Sequence, residues 1–294
     1  MDAHRIDIDF EYLSQIRTAF ALHTGRKTSN ILEGDFRSVY RGRSMEFDEL
    51  SEYMPGDEVH DIDWKSSSRS GQVLVRRYVA ERKHHLLFIV DSGEKMRADT
   101  SAGQSKERIA AMTFGTAAYL ADRNGADFAL LQPEEDTMQL SLFRAGMPHL
   151  EKLLTQCVSK LGTESTYDAA KLLQFAADQI RKRMIIFLIT DFDGLYRLDE
   201  SLIGRVTERN DLLIVNIEDA YLTDHMAYDA ADRCYADTRI VNSAALRRAE
   251  IDRRNRIQSF ADNLFRRARV QSTTIAKEEE ITDRVIGLFR DRTP

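Results

Sequence analysis

An α/β fold with a parallel sheet covered by helices on both faces is predicted by three observations. First, HLLFIV (85–90), MIIFLITDF (184–192) and DLLIVNIED (211–219) are near-continuous apolar runs, as strands buried on both faces are. Second, the segments between them repeat apolar residues at three- and four-residue steps, so strand and helix alternate. Third, the runs end in acids: Asp91, Asp191, and Glu218 with Asp219. Ligands of such sheets sit beyond the carboxyl ends of the strands.

Each element follows in order. Phe10, Leu13, Ile16 and Phe20 give a helix over 9–24. Residues 25–80, rich in Gly, Arg, Ser and aromatics, read as an irregular, partly β layer in which QVLVRRYV (72–79) is a strand. After the strand 85–90, SKERIAAMTFGTAAYLADR is a helix, and ADFALLQ with TMQLSLF form a strand pair. MPHLEKLLTQCVSKL and STYDAAKLLQFAADQIRKR are helices, the second with Ser165 or Thr166 as its N-cap. Strand 184–192, helix LDESLIGRVTER and strand 211–219 continue the rhythm. CYADTRIVN is a short strand or hairpin, followed by the helix AALRRAEIDRRNRIQSFADNLFRRAR, the strand VQSTTIA and the helix EITDRVIGLFR. The expected division is 1–83, an N-terminal helix and β-rich layer, and 84–294, the α/β domain.

Composition narrows the function classes. The chain has 294 residues, 43% hydrophobic and 31% charged, with a net charge of −6; this is a globular composition with no overall attraction to nucleic acid. No apolar run reaches the ~20 residues of a membrane helix, and MDAHRIDIDF carries charges where a signal peptide is apolar. Cys157 and Cys234 lie far apart, and a cytoplasmic location is expected.

Asp91, Asp191, Asp193 and Asp168 form the one acidic constellation. Acids at strand ends either hold Mg²⁺ through oxygen or cap the next helix. The alternative function they would support is a metal-dependent phosphohydrolase or nuclease. DFDG (191–194) has the DxD spacing of aspartyl-phosphate enzymes, but it stands late in the chain and is followed by Leu195. Glycine-rich phosphate loops, GxSxG elbows and HExxH pairs are absent from the sequence. The arginines of 37–82 with Lys83, and those of 247–269, raise nucleic-acid binding, but Glu250, Asp252 and Asp262 interrupt the second set. A solvated or partner-facing helix is the simpler reading.

Residues 40–96 carry Gly42-Arg43-Ser44, Glu46-Phe47, Tyr53, Pro55-Gly56-Asp57, Ile62-Asp63-Trp64-Lys65, Ser68-Arg69, Gly71 and Glu81-Arg82. This pattern resembles the bacterial domain-of-unknown-function-58 family, with Ser51 and His60 where the family usually has arginine. The resemblance implies a Rossmann-like von Willebrand A-type sheet flanked by helices, preceded by a small N-terminal helix and β-rich layer. It also implies a non-enzymatic adaptor role with a MoxR-type AAA+ ATPase. Metal-binding domains of this type read Asp-x-Ser-x-Ser, with a distant threonine and aspartate, and a partner's carboxylate completes the ion's shell. The corresponding residues are Asp91, Thr166 (with Thr163 in reserve) and Asp191, while Gly93 and Lys95 replace the serines.

A degenerate site with weak or absent Mg²⁺ binding is therefore expected. Gly93 supplies no side-chain oxygen, and a protonated Lys95 cannot ligate a cation. Lys95 is expected to pair with Asp91 or Asp191 where the ion's charge would be, the alternative being a lysine in solvent. Trp64, the only tryptophan, is expected to be a core or inter-domain anchor, and Asp57, Asp63 and Arg69 a buried ion-pair network.

Overall fold

The computed structural model describes residues 14–18, 45–54, 57, 59–80, 84–134, 137–223, 228–229, 234–235 and 241–290. The chain forms two compact units, Arg37–Lys83 and the remainder.

In the smaller unit, β1 (Met45–Glu52) and β2 (Leu74–Ala80) pair antiparallel, with a register shift between Phe47 and Glu49. Between them stands α1 (Trp64–Ser70), which the sequence reading passed over. Asp63 starts it by accepting from Ser66 N at 3.0 Å, and Gly71 ends it at φ +75°, a conformation glycine adopts without strain. Buried Ser67 ties helix to strand, donating to Asp63 O at 2.7 Å and accepting from Leu74 N at 2.8 Å.

Two expectations for this unit are corrected in part: Trp64 is not a core residue, and Arg69 does not pair with Asp57 or Asp63 among the described residues. Trp64 is 66% exposed: it is the first residue of a two-turn helix whose one buried residue is Ser67. Asp57 and Asp63 act as backbone caps, on Met54 N (2.9 Å) and Ser66 N, while Arg69 is exposed. No ion pair joins Arg69 to either acid among the described residues. Gly42-Arg43-Ser44, Pro55, Gly56, Glu81, Arg82, Lys83, Arg37 and Arg41 lie outside the described residues, as do the side chains of Arg76, Arg77 and Cys234.

The larger unit is a six-stranded sheet in the order β10-β7-β6-β3-β4-β5. Its strands are β3 (His85–Val90), β4 (Asp127–Glu134), β5 (Thr137–Leu140), β6 (Ile185–Asp191), β7 (Asp211–Ile217) and β10 (Gln271–Ile275). All neighbours are parallel except β4 and β5. The predicted parallel sheet is thus observed, with the predicted strand pair as its antiparallel edge. β8 (Tyr228–Asp229) and β9 (Cys234–Tyr235) form a separate small pair.

Side chains alternate across the sheet with period two. Leu86, Phe88 and Val90 of β3 join Phe187 and Val215 in one core, under α2 (Lys106–Arg123), α3 (Met147–Lys160) and α8 (Ile281–Arg290). Leu87 and Ile89 join Ile186, Leu188 and Ile214 in the other, under α4 (Ala169–Gln179), α6 (Glu200–Thr207) and α7 (Ala244–Ala268). Phe88 anchors the first, its ring centroid 5.1 Å from Phe114 and 5.5 Å from Phe187. Ile16, from the described helical residues 14–18, belongs to this same core. The one remaining helix is α5 (Phe192–Tyr196), a single turn directly after β6.

One boundary moves in a way that matters for the site. The N-cap of α4 is Asp168, accepting from Lys171 N at 2.9 Å, rather than Ser165 or Thr166. The Ser165 hydroxyl instead closes a turn with the Tyr167 backbone. Residues 163–168 therefore remain a loop at the carboxyl end of the sheet.

Candidate functional site

β3 and β6 are adjacent parallel strands, so Asp91 and Asp191 emerge side by side at their carboxyl ends. Both are 1% exposed, and a buried carboxylate requires compensation. Two lysines provide it. Lys95, on the 3₁₀ turn Glu94–Arg97, places Nζ 2.8 Å from both Asp91 Oδ2 and Asp191 Oδ1, with Asp193 at 3.8 Å. Lys106, the first residue of α2, places Nζ 2.7 Å from Asp191 Oδ2 and also pairs with Asp219, just beyond β7. The Lys95 pairing expected from sequence is formed, and with both acids.

The secondary contacts fix this geometry. Thr190 Oγ1 donates to Asp91 Oδ2 at 2.9 Å. Gly194 N donates to Asp191 Oδ1 at 2.9 Å, so Asp191 also caps α5. A Cβ on Gly194 would strike the Thr190 hydroxyl and approach Asp91 Oδ2, so glycine is required there by space rather than by backbone angle. Phe192 N donates to Asp219 Oδ2 at 3.2 Å. Arg254 of α7 donates to the carbonyls of Asp219 and Ala220 and lies 3.9 Å from the Tyr221 ring centroid.

The protonation states follow from these neighbours. Burial alone would raise the Asp191 carboxyl, but the ammonium groups of Lys106 and Lys95 outweigh it and hold the carboxyl well below its ordinary range. Burial alone would lower both lysines, yet the paired carboxylates raise each of them. Asp219 is pushed up by burial, which Lys106 offsets only in part. At the centre of the cluster the Asp191 carboxylate is thus bound to two ammonium groups.

A cleft of about 370 Å³ opens in front of Lys95, and Asp91, Gly93, Thr166, Asp168 and Asp193 contribute to its walls. The rival acids Asp168 and Asp193 are held by Arg197, at 3.3 and 3.0 Å. Thr166 is exposed, and its carbonyl accepts from Lys171 Nζ at 2.6 Å. The Thr163 hydroxyl donates to Lys160 O at 2.7 Å, and the residue is not part of the cleft wall.

The residues do not fit the divalent ion that a metal-type site would hold. Mg²⁺ needs oxygens converging at about 2.1 Å with near-octahedral geometry. Here the Asp91 and Asp191 oxygens converge on ammonium nitrogens, and Gly93 adds none. Lys106, Thr190, Gly194 and Arg197 were not found by sequence reasoning. Lys106 alone left a local signal: a lysine opening a helix after the Ser105 N-cap opposes the helix dipole.

The arginine-rich helix divides by role. Arg254 is built into the loop after β7, and Arg247 donates to Thr223 O at 3.0 Å. Arg248, Arg253, Arg256, Arg266 and Arg267 are exposed.

Similarity to known proteins gives the family of the chain. The model for a protein of unknown function, DUF58, matches residues 49–260, more than half of the chain. The chain belongs to the DUF58 family. An uncharacterized protein of Mycobacterium tuberculosis is 23% identical over 219 residues, 73% of this chain and 68% of that relative. Among solved structures, a von Willebrand factor type A protein from Catenulispora acidiphila is similar at 12% identity and TM-score 0.39, covering 72% of this chain and 43% of that one. The SpRpn10 VWA domain is similar at 13% identity and TM-score 0.35, covering 69% and 94%. No described helix of this DUF58 chain is long and apolar enough to cross a membrane.

Proposed function

We propose that the chain is a non-catalytic protein-interaction module that works with a MoxR-type AAA+ ATPase and binds through the cleft beside Lys95. The observation that carries the reading is Lys95 Nζ, 2.8 Å from both Asp91 and Asp191. The engagement of those carboxylates by an internal cation supports this reading over an ion site or a hydrolytic pair of acids. What remains is a rigid, charged concavity on a parallel sheet, at the edge where such sheets meet ligands. The ATPase partner is supported by the family resemblance alone.

The test is affinity purification of the tagged full chain from its native cell. Recovery of a MoxR-type AAA+ ATPase, lost with Asp193→Lys at the cleft rim, is the expected result. Recovery that Asp193→Lys leaves intact would move the interface elsewhere, and no ATPase at all would remove the partner. Phosphatase or nuclease activity with Mn²⁺ that disappears in Asp191→Ala would overturn the non-catalytic reading.

A further inference from the structure

We infer that the open edge of β10 is a second docking surface, which takes an extended, basic segment of a partner protein as an added strand. This surface is independent of the cleft beside Lys95. β10 ends the strand order of the sheet, with β7 on one side and no described strand on the other. Ile275 O accepts from Glu218 N at 3.0 Å, and successive residues of a strand direct their backbone groups to opposite sides. Gln271, Thr273 and Ile275 therefore bond toward β7, while Ser272 and Thr274 turn their N–H and C=O groups outward. Proline, lysine or a bulge protects many sheet edges from such pairing. QSTTI contains neither residue, and its register against β7 is unbroken.

A groove of about 600 Å³ lies beside this edge, between β10 and α8. Gln271 and Thr273 line one wall; they share a face with Ile275, which is buried in the core under α8. The other side carries Glu279, Glu280 and Asp283, with Arg284 as its single cation. Gly287, inside α8, also lines the groove, and a Cβ built on it would meet nothing within 4 Å. Absence of a side chain there keeps the groove open.

An added strand would present every second side chain to this groove. Three carboxylates against one guanidinium favour lysine or arginine at those positions. Main-chain bonds to Ser272 and Thr274 would supply affinity, and the acidic wall the choice of partner. A second copy of this chain is a poorer occupant, because joined edges would bring the same acids together.

Amide shifts and hydrogen exchange of the ¹⁵N-labelled full chain test the proposal. The probes are a short peptide alternating arginine with valine, its counterpart alternating glutamate with valine, and the arginine peptide N-methylated along its backbone. In the free chain the Ser272 and Thr274 amides should exchange readily, while that of Thr273 is protected. The arginine peptide at millimolar concentration should protect both and shift Gly287, less so as salt rises; the other two should do neither. Gly287→Leu should abolish the response without lowering the melting temperature, since leucine suits a helix interior better than glycine. Glu279→Gln with Glu280→Gln should weaken binding roughly fivefold, as loss of two partly exposed charges does.

Ser272 and Thr274 amides already protected in the free chain would show the edge to be covered and overturn the proposal. Protection that grows with protein concentration would assign the edge to a second copy and overturn it equally. No response to the arginine peptide, or an equal response to the glutamate peptide, would overturn the basic occupant. A response to the N-methylated peptide would overturn strand addition, and one that survives Gly287→Leu would overturn the groove.

Discussion

The charged residues of the sheet end and those of the smaller unit solve different problems. At the sheet end, Asp91, Asp191 and Lys106 are each 1% exposed, and their charges are matched to one another. In the smaller unit, Asp57 and Asp63 each accept from a backbone N–H group, Arg69 is exposed, and Trp64 is 66% exposed. The same residue types are thus locked by burial in one place and serve as turn and helix caps in the other.

This contrast predicts unequal costs, measured by chemical denaturation. The largest is Lys106→Ala, which leaves Asp191 and Asp219 facing each other without their shared cation; a loss of about 3–5 kcal/mol is expected. Lys95→Ala should cost less, roughly 1–3 kcal/mol, because its side chain is 26% exposed and water can partly replace it. Combining it with the missing oxygens, as Gly93→Ser with Lys95→Ser, should create Mg²⁺ binding visible by calorimetry. No heat from that double variant would show that the lysine is not what excludes the ion.

Acid should separate the two regions further. The Asp191 carboxyl is lowered from its ordinary value of 3.8. Its contribution is therefore complete above about pH 4 and is lost as pH falls toward the folded-state value. Lys95 and Lys106 are raised from 10.5, so their contribution holds up to about that pH and fades above it. A stability plateau between these limits is the expected profile, lowered in Asp191→Asn and with a shallower acid limb.

The smaller unit should respond weakly. Asp63→Ala removes one N-cap and should cost about 1 kcal/mol. Trp64→Ala should change stability by no more than about 0.5 kcal/mol, and the fluorescence of this sole tryptophan should be readily quenched by iodide. A large loss on Trp64→Ala would restore the anchor reading and erase the contrast.

The amino-acid sequence alone determined the parallel sheet, because strands buried on both faces must be apolar throughout. It also placed Asp91 and Asp191 at strand ends, with Gly93 and Lys95 at the two positions where the resemblance led serines to be expected. The pairing of Lys106 with Asp219 stayed hidden because 113 residues separate them, and only the packing of α2 against the ends of β6 and β7 joins them. The exposure of Trp64 was equally illegible, since one large side chain has no periodicity to show which way it faces. Tertiary structure decided those points, because charge pairing and burial depend on which neighbours the fold supplies.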